Sequence, residues 1–286
     1  MSNEMKLHTL GTGGPRPDPD RGSACHVLEI GGRHLLFDVG RGAIQRIAQK
    51  RFPIASLGPL FISHLHVDHI GELANYLITS WMSGRRQPIS VFGPPGTAEV
   101  IDLLMSRVYE LDVRFRTEGE TTMGPFVGAR VTEVRAGPVV ETTEYRVTCE
   151  EMEHGHRLPF DESFRSRWIC LGFRVETEGR VFSFGGDGVM NDALIRIASN
   201  ADLHLQCCYL AGSELAANEH IRAVAQYTLA CSDTAGKIAA RAGVRRLVLT
   251  HFHRTTPALL REIEADVRED YHGPLVLAND LDEFEF

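Results

Sequence analysis

Four side chains suited to binding divalent cations fall within six positions of this chain: His64, His66, Asp68 and His69, at the end of the run Leu60-Phe61-Ile62-Ser63-His64-Leu65-His66-Val67-Asp68-His69. Imidazole nitrogens and carboxylate oxygens are the donors that suit zinc and its neighbours. His64 and His66 stand two apart at the end of an apolar strand, so they can project to one side. Asp68 and His69 follow on a turn and can offer a second pair of donors close by. Burying four such groups beside Leu65 and Val67 without a metal or partners would be costly. The chemistry expected is metal-dependent, and no Gly-x-Ser-x-Gly elbow offers a serine nucleophile instead.

The elements that must hold this cluster are short. Apolar runs bounded by Gly, Pro and Asp predict strands at Lys6 to Gly11, His26 to Ile30, His34 to Asp38, Leu60 to Ser63 and Ile89 to Phe92. Helical spacing predicts helices at 43–51, 71–82 and 97–109. The second half repeats the arrangement, with strands near 130–136, 145–152, 170–177, 181–185, 203–208, 246–250 and 274–278, and helices at 216–228, 234–242 and 257–270. Strands first and helices after, twice over, suggest two sheets packed face to face with helices outside. The loop Gly11-Thr12-Gly13-Gly14-Pro15 lacks a Gly-Lys-Ser/Thr ending and a GxGxxG, and Pro15 and Pro17 block a helix start there. It reads as a tight turn near the mouth of the site.

With 286 residues, 43% hydrophobic and 24% charged, the chain has globular composition, and one domain over 1–286 is expected. The net charge of −8 argues against a nucleic-acid binder that works through clustered Lys and Arg. Six cysteines without a CxxC pair suggest buried thiols rather than a zinc ribbon or a disulfide framework. No signal-like or membrane-spanning run is evident, so a cytoplasmic location and no membrane partner are expected.

His64-x-His66-x-Asp68-His69 after a hydrophobic strand resembles the metallo-β-lactamase superfamily. The segments Leu10-Gly11-Thr12-Gly13-Gly14-Pro15 and Leu35-Leu36-Phe37-Asp38-Val39-Gly40-Arg41-Gly42-Ala43 resemble its ribonuclease Z and arylsulfatase-like branch. The resemblance implies an α/β fold, the four-layer αββα sandwich. It also implies three further ligands: His154 in Glu153-His154-Gly155, the bridging aspartate Asp187 in Gly185-Gly186-Asp187, and His251 in Leu247-Val248-Leu249-Thr250-His251. His64, His66 and His154 would then hold one divalent ion, and Asp68, His69 and His251 a second. Zinc is the metal expected, with manganese or iron as the other options. A hydroxide shared by the two ions would attack the substrate, with Asp68, besides ligating, guiding that water or shuttling its proton. His156 and His253, each two residues from an implied ligand, can face the same way in an extended segment and compete with His154 and His251.

The chain also departs from ribonuclease Z. Only 33 residues separate His154 from Asp187, which leaves no room for the long basic arm of that family. Its His-Glu-Ala-Thr segment is replaced by Gln206-Cys207-Cys208-Tyr209, and its later His-Ser-Thr by Cys231-Ser232-Asp233. The expectation from sequence is therefore a binuclear hydrolase acting on a small-molecule ester, lactone, cyclic amide, or sulfate or phosphate ester. No nucleic-acid partner is expected, a homodimer is compatible with the reading, and a ribonuclease Z-like, tRNA 3′-processing phosphodiesterase is the alternative. The segment 156–168, where Phe160, Phe164 and Trp168 alternate with Arg157, Arg165 and Arg167, is a candidate lid.

Overall fold

A computed structural model describes residues 4–286. The first sheet is built from β1 (Met5–Gly11), β2 (Cys25–Ile30), β3 (Arg33–Phe37), β4 (Leu60–Phe61), β5 (Ile89–Gly93) and β6 (Ala129–Glu133). The second is built from β7 (Gly137–Glu141), β8 (Arg146–Met152), β9 (Cys170–Thr177), β10 (Arg180–Phe184), β11 (Leu203–Cys207), β12 (Leu247–Thr250) and β13 (Leu275–Leu277). A last strand, β14 (Asp282–Glu285), returns to the first sheet beside β1. The orders are β14-β1-β2-β3-β4-β5-β6 and β13-β12-β11-β10-β9-β8-β7.

Side-chain alternation sorts the apolar residues into layers. Leu35 and Phe37 of β3 and Phe61 of β4 face the second sheet, where Phe173, Phe182, Phe184 and Leu205 complete the inner core. The intervening Leu36, with Leu60 and Ile62, turns outward onto the helix Leu73–Met82 through Leu73, Tyr76 and Leu77. Leu247 and Leu249 of β12 likewise pack outward on Ala235 and Ala239 of the helix Ser232–Ala242 and on Ile263 and Val267 of the helix Pro257–Arg268. Helix, sheet, sheet and helix therefore form the expected four layers.

Three differences from the sequence expectations have identifiable causes. The strand expected over Leu60 to Ser63 ends at Phe61 because the Ser63 amide leaves the ladder to donate to Oδ1 of Asp38 at 2.7 Å. β7 and β14 carry no strong apolar alternation and exist through their partners: Gly137 pairs with Cys149, and Phe284 with Leu7. The candidate lid is not a loop throughout, since Glu162–Arg167 forms a helix whose Asp161 cap accepts from the Phe164 amide. Among the described residues no helix is long and apolar enough to cross a membrane.

Candidate metal centre

Every candidate ligand follows the C-terminal end of a strand at one rim of the sandwich. His64 to His69 follow β4, His154 follows β8, Asp187 follows β10 and His251 follows β12. The turn carrying Asp68 and His69 is the short helix Val67–Ile70, whose start His66 occupies in extended conformation. Gly40 makes this turn possible: a Cβ there would collide with the carbonyl oxygen of Asp68. The Gly11 to Pro15 turn closes one side of the cluster, with Gly14 donating its amide to Phe252 O at 3.0 Å. A Cβ on Gly14 would lie 3.2 Å from the His251 ring, so the turn sits directly against the cluster.

The seven candidates converge. His64 Nε2 is 2.9 Å from His66 Nδ1, and His154 Nε2 is 3.3 Å from the same atom. His251 Nε2 lies 3.1 Å from Asp68 Oδ2, 3.2 Å from Asp187 Oδ2 and 3.3 Å from His69 Nε2. His69 Nε2 is 3.6 Å from both Asp68 Oδ2 and Asp187 Oδ2. All but His66 are buried. Two rings are oriented from behind: His69 Nδ1 donates to Asp38 Oδ2 at 2.8 Å, and His154 Nδ1 donates to the carbonyl of Thr228. Each Nδ1 proton is thereby set, and each Nε2 is left facing the cluster. Lone-pair nitrogens that face one another, with two carboxylates among them, fit divalent cations better than they fit each other.

The charges of the cluster are interdependent. Burial by itself would raise the Asp187 carboxyl, but His251 and His69 outweigh it and hold it well below the usual carboxylate range. Burial would depress His69, but the carboxylates of Asp187 and Asp38 raise it well above the usual imidazole value. His251 is raised against burial by Asp187 and Asp68. His64 is depressed well below the usual value by burial and by His69. His66 is pushed down to about 4 by burial and then by His154. Positive charge is thus favoured at the His69 and His251 end, where cations would replace the protons.

The competitors His156 and His253 do not enter the cluster. His156 braces the loop, its Nδ1 accepting from the His154 amide at 3.1 Å and its Nε2 donating to Trp168 O at 3.0 Å. His253 lines a cavity of about 290 Å³ with Arg16, Tyr209, His220 and Thr228, beside Glu214 at 3.5 Å. His220 thus lines a cavity that Tyr209, with its ring 5.9 Å from that of His251, sets next to the cluster. Four participants were not singled out from sequence. Asp38 and Ser63 support His69 and His64, with Ser63 Oγ 2.7 Å from Asp38 Oδ2 and 3.1 Å from His64 Nδ1. Cys170 offers its sulfur within 4.8 Å of donor atoms of His64 and His154, and Cys207 does the same for Asp187 and His251. An aspartate ending the apolar run Leu35-Leu36-Phe37 was the one available signal for Asp38.

Residues 33–252 match the family described as the beta-lactamase superfamily domain. The chain is 30% identical over 291 residues to ribonuclease Z of Mycobacterium marinum, covering 98% of each chain. It is also 30% identical over 288 residues to ribonuclease Z of Mycobacterium bovis, again with 98% of each covered. Among solved structures, a metallo-β-lactamase fold protein from Bacillus subtilis superposes over 100% of both chains with TM-score 0.75 at 17% identity. The short form of human tRNase Z covers 98% of both with TM-score 0.72 at 23% identity.

These relatives overturn one expectation. A small-molecule substrate with no nucleic-acid partner does not stand beside ribonuclease Z relatives that match end to end. The reasoning from a net charge of −8 failed because total charge is a sum over the surface and says little about the few cations near a site. The missing arm excluded one way of gripping RNA, not every way. The chain belongs to the metallo-β-lactamase superfamily, a family of metal-dependent hydrolases, in its ribonuclease Z branch.

Proposed function

We propose that this protein is a metal-dependent phosphodiesterase that cleaves RNA, of the ribonuclease Z type, acting as one domain over residues 1–286. The observation that carries the reading is the convergence of His64, His66, Asp68, His69, His154, Asp187 and His251 in a chain aligned over 98% of its length with ribonuclease Z. His64, His66 and His154 would hold one divalent ion, Asp68, His69 and His251 a second, and Asp187 would reach both. Zinc suits a set of imidazoles and carboxylates. Two such ions, when bound, supply Lewis acidity toward a phosphate oxygen and make water a nucleophile at neutral pH.

The remaining steps fall to the chain. Asp38 and the Thr228 carbonyl hold two imidazoles in one tautomer, which keeps the donors aimed without reorganisation. Asp68, whose Oδ2 faces His251, would orient the attacking water and take its proton. The residues that replace the His-Glu-Ala-Thr segment do not serve this purpose: Gln206 is buried, bonded to His204 at 2.8 Å and to the Cys207 carbonyl at 3.0 Å. A cytoplasmic location accords with six buried free cysteines.

The test is cleavage of a 3′-extended precursor tRNA by zinc- or manganese-loaded protein, with the chelated protein and Asp187→Ala as controls. Metal-dependent cleavage that Asp187→Ala abolishes is the expected result. Absence of cleavage of any RNA at full metal loading overturns the reading.

A further inference from the structure

Beside His66 the rim opens into a groove of about 490 Å³, within the roughly 300–1,000 Å³ range of small-ligand sites. Leu65 and Pro95 form one wall, and Phe164 and Trp168 form part of the other. The aromatic side is a continuous stack. Phe160 and Phe164 have ring centroids 4.1 Å apart, Phe164 and Trp168 are stacked at 5.5 Å and 18°, and Trp168 lies 4.6 Å from the His66 ring. Phe160 and Phe164 are 37% and 40% exposed, while Trp168 is anchored by its indole N–H, which donates to His154 O at 2.8 Å. The stack therefore leads from solvent to a candidate ligand and is held rigid at the inner end.

The charges in the groove differ in availability. Asp161 lines it, but its carboxylate accepts from the Phe164 amide as a helix cap. Arg167 lines it, is exposed, and has no ion-pair or hydrogen-bond partner among the described residues. An apolar, aromatic slot with one free guanidinium, continuous with the proposed phosphodiesterase site, suits a flat ring joined to an anion.

Resting on the proposed RNA phosphodiesterase reading, we infer that this groove binds an unpaired nucleobase of the RNA next to the scissile phosphate. The base lies against Phe164 and Trp168, and Arg167 contacts the adjoining phosphate. Stacking is tolerant of base identity, because every base has a π-face. The site therefore selects single-stranded ends over duplex without reading a sequence.

Trp168 reports on the groove directly, because the other tryptophan, Trp81, is fully buried in the core. Metal-loaded protein is titrated with a nuclease-resistant phosphorothioate pentaadenylate, with an abasic chain of the same length and with inorganic phosphate. Saturable quenching by the pentaadenylate alone is expected. Phe164→Ala should weaken its binding roughly tenfold and Phe164→Tyr should retain it, while Arg167→Gln should lower the slope of log affinity against log salt by about one. Equal binding of the abasic chain, or an unchanged affinity in Phe164→Ala, overturns the inference. The two readings fail separately: precursor tRNA cleavage without pentaadenylate quenching removes the groove and leaves the nuclease. Quenching with no RNA cleaved keeps the base site and removes the nuclease.

Discussion

Asp38 and His69 form a buried pair in which the imidazole donates through Nδ1 to the carboxylate Oδ2 at 2.8 Å, both side chains being at most 1% exposed. The same carboxylate holds Ser63 through its amide and its hydroxyl, so one residue ends β4 and aims His69. Asp38 adopts a left-handed backbone with φ 57°, and His251 does so with φ 60°. Non-glycine residues in that region concentrate at functional sites.

Replacing Asp38 by Asn keeps the size but removes the charge that fixes His69. Metal affinity should fall about 10–100-fold, read by competition with a chelator of known affinity. An unchanged affinity would show that packing alone positions His69.

Loading should reach about two divalent ions per chain, because seven donors exceed what one tetrahedral ion uses. Elemental analysis checks this, and metal removal should lower the unfolding temperature, since ions that bind only the folded state stabilise it. Asp187→Ala should lose more than about 100-fold in activity, beyond the usual effect of an outer residue, while its circular dichroism stays native. A chain that unfolds on this change would mark the site as structural.

Gly40→Ala should disturb the centre without replacing a candidate ligand. Its Cβ meets the Asp68 carbonyl, so the Val67–Ile70 turn must shift, at a cost of about 1–3 kcal/mol in stability. Denaturant midpoints and metal content measured together check this. Loss of metal that exceeds the loss of stability is expected.

Acid should destabilise the metal-free protein through histidines outside the cluster. His204 is pushed down to about 4 by burial, and it is satisfied as a neutral ring between Ser183 Oγ and Gln206 Oε1, each at 2.8 Å. His26 is pushed down to about 3 by burial and then by His69. A folded-state value below the unfolded one, about 6.5, means that the unfolded chain takes up the proton first. The stability from each neutral ring is thus complete above pH 6.5 and declines as pH falls toward 4. For His204 the full effect is about 3 kcal/mol. Denaturant unfolding of metal-free protein across that window should be less steep in pH for His204→Gln than for the parent. Parallel pH profiles would refute the assignment.

What the sequence determined by itself was what local spacing can encode. The apolar runs Leu35-Leu36-Phe37 and Leu60-Phe61-Ile62 marked buried strands, whose residues the structure then divides between inner and outer faces. The four donors from His64 to His69 announced metal chemistry because their proximity in the chain is proximity in space. The other candidate ligands were legible through resemblance alone, since 85 to 182 positions separate His154, Asp187 and His251 from His69, and no local rule joins them. Tertiary structure decided the rest. It brought the ends of β4, β8, β10 and β12 to one rim, turned His156 and His253 aside from the positions next to them, and set Asp38 behind His69 and two thiols beside the cluster. It also paired β14 with β1 across the full length of the chain. The physical reason is the same in each case: which groups meet when two sheets pack depends on register and strand order, and these are settled by contacts between segments far apart in sequence.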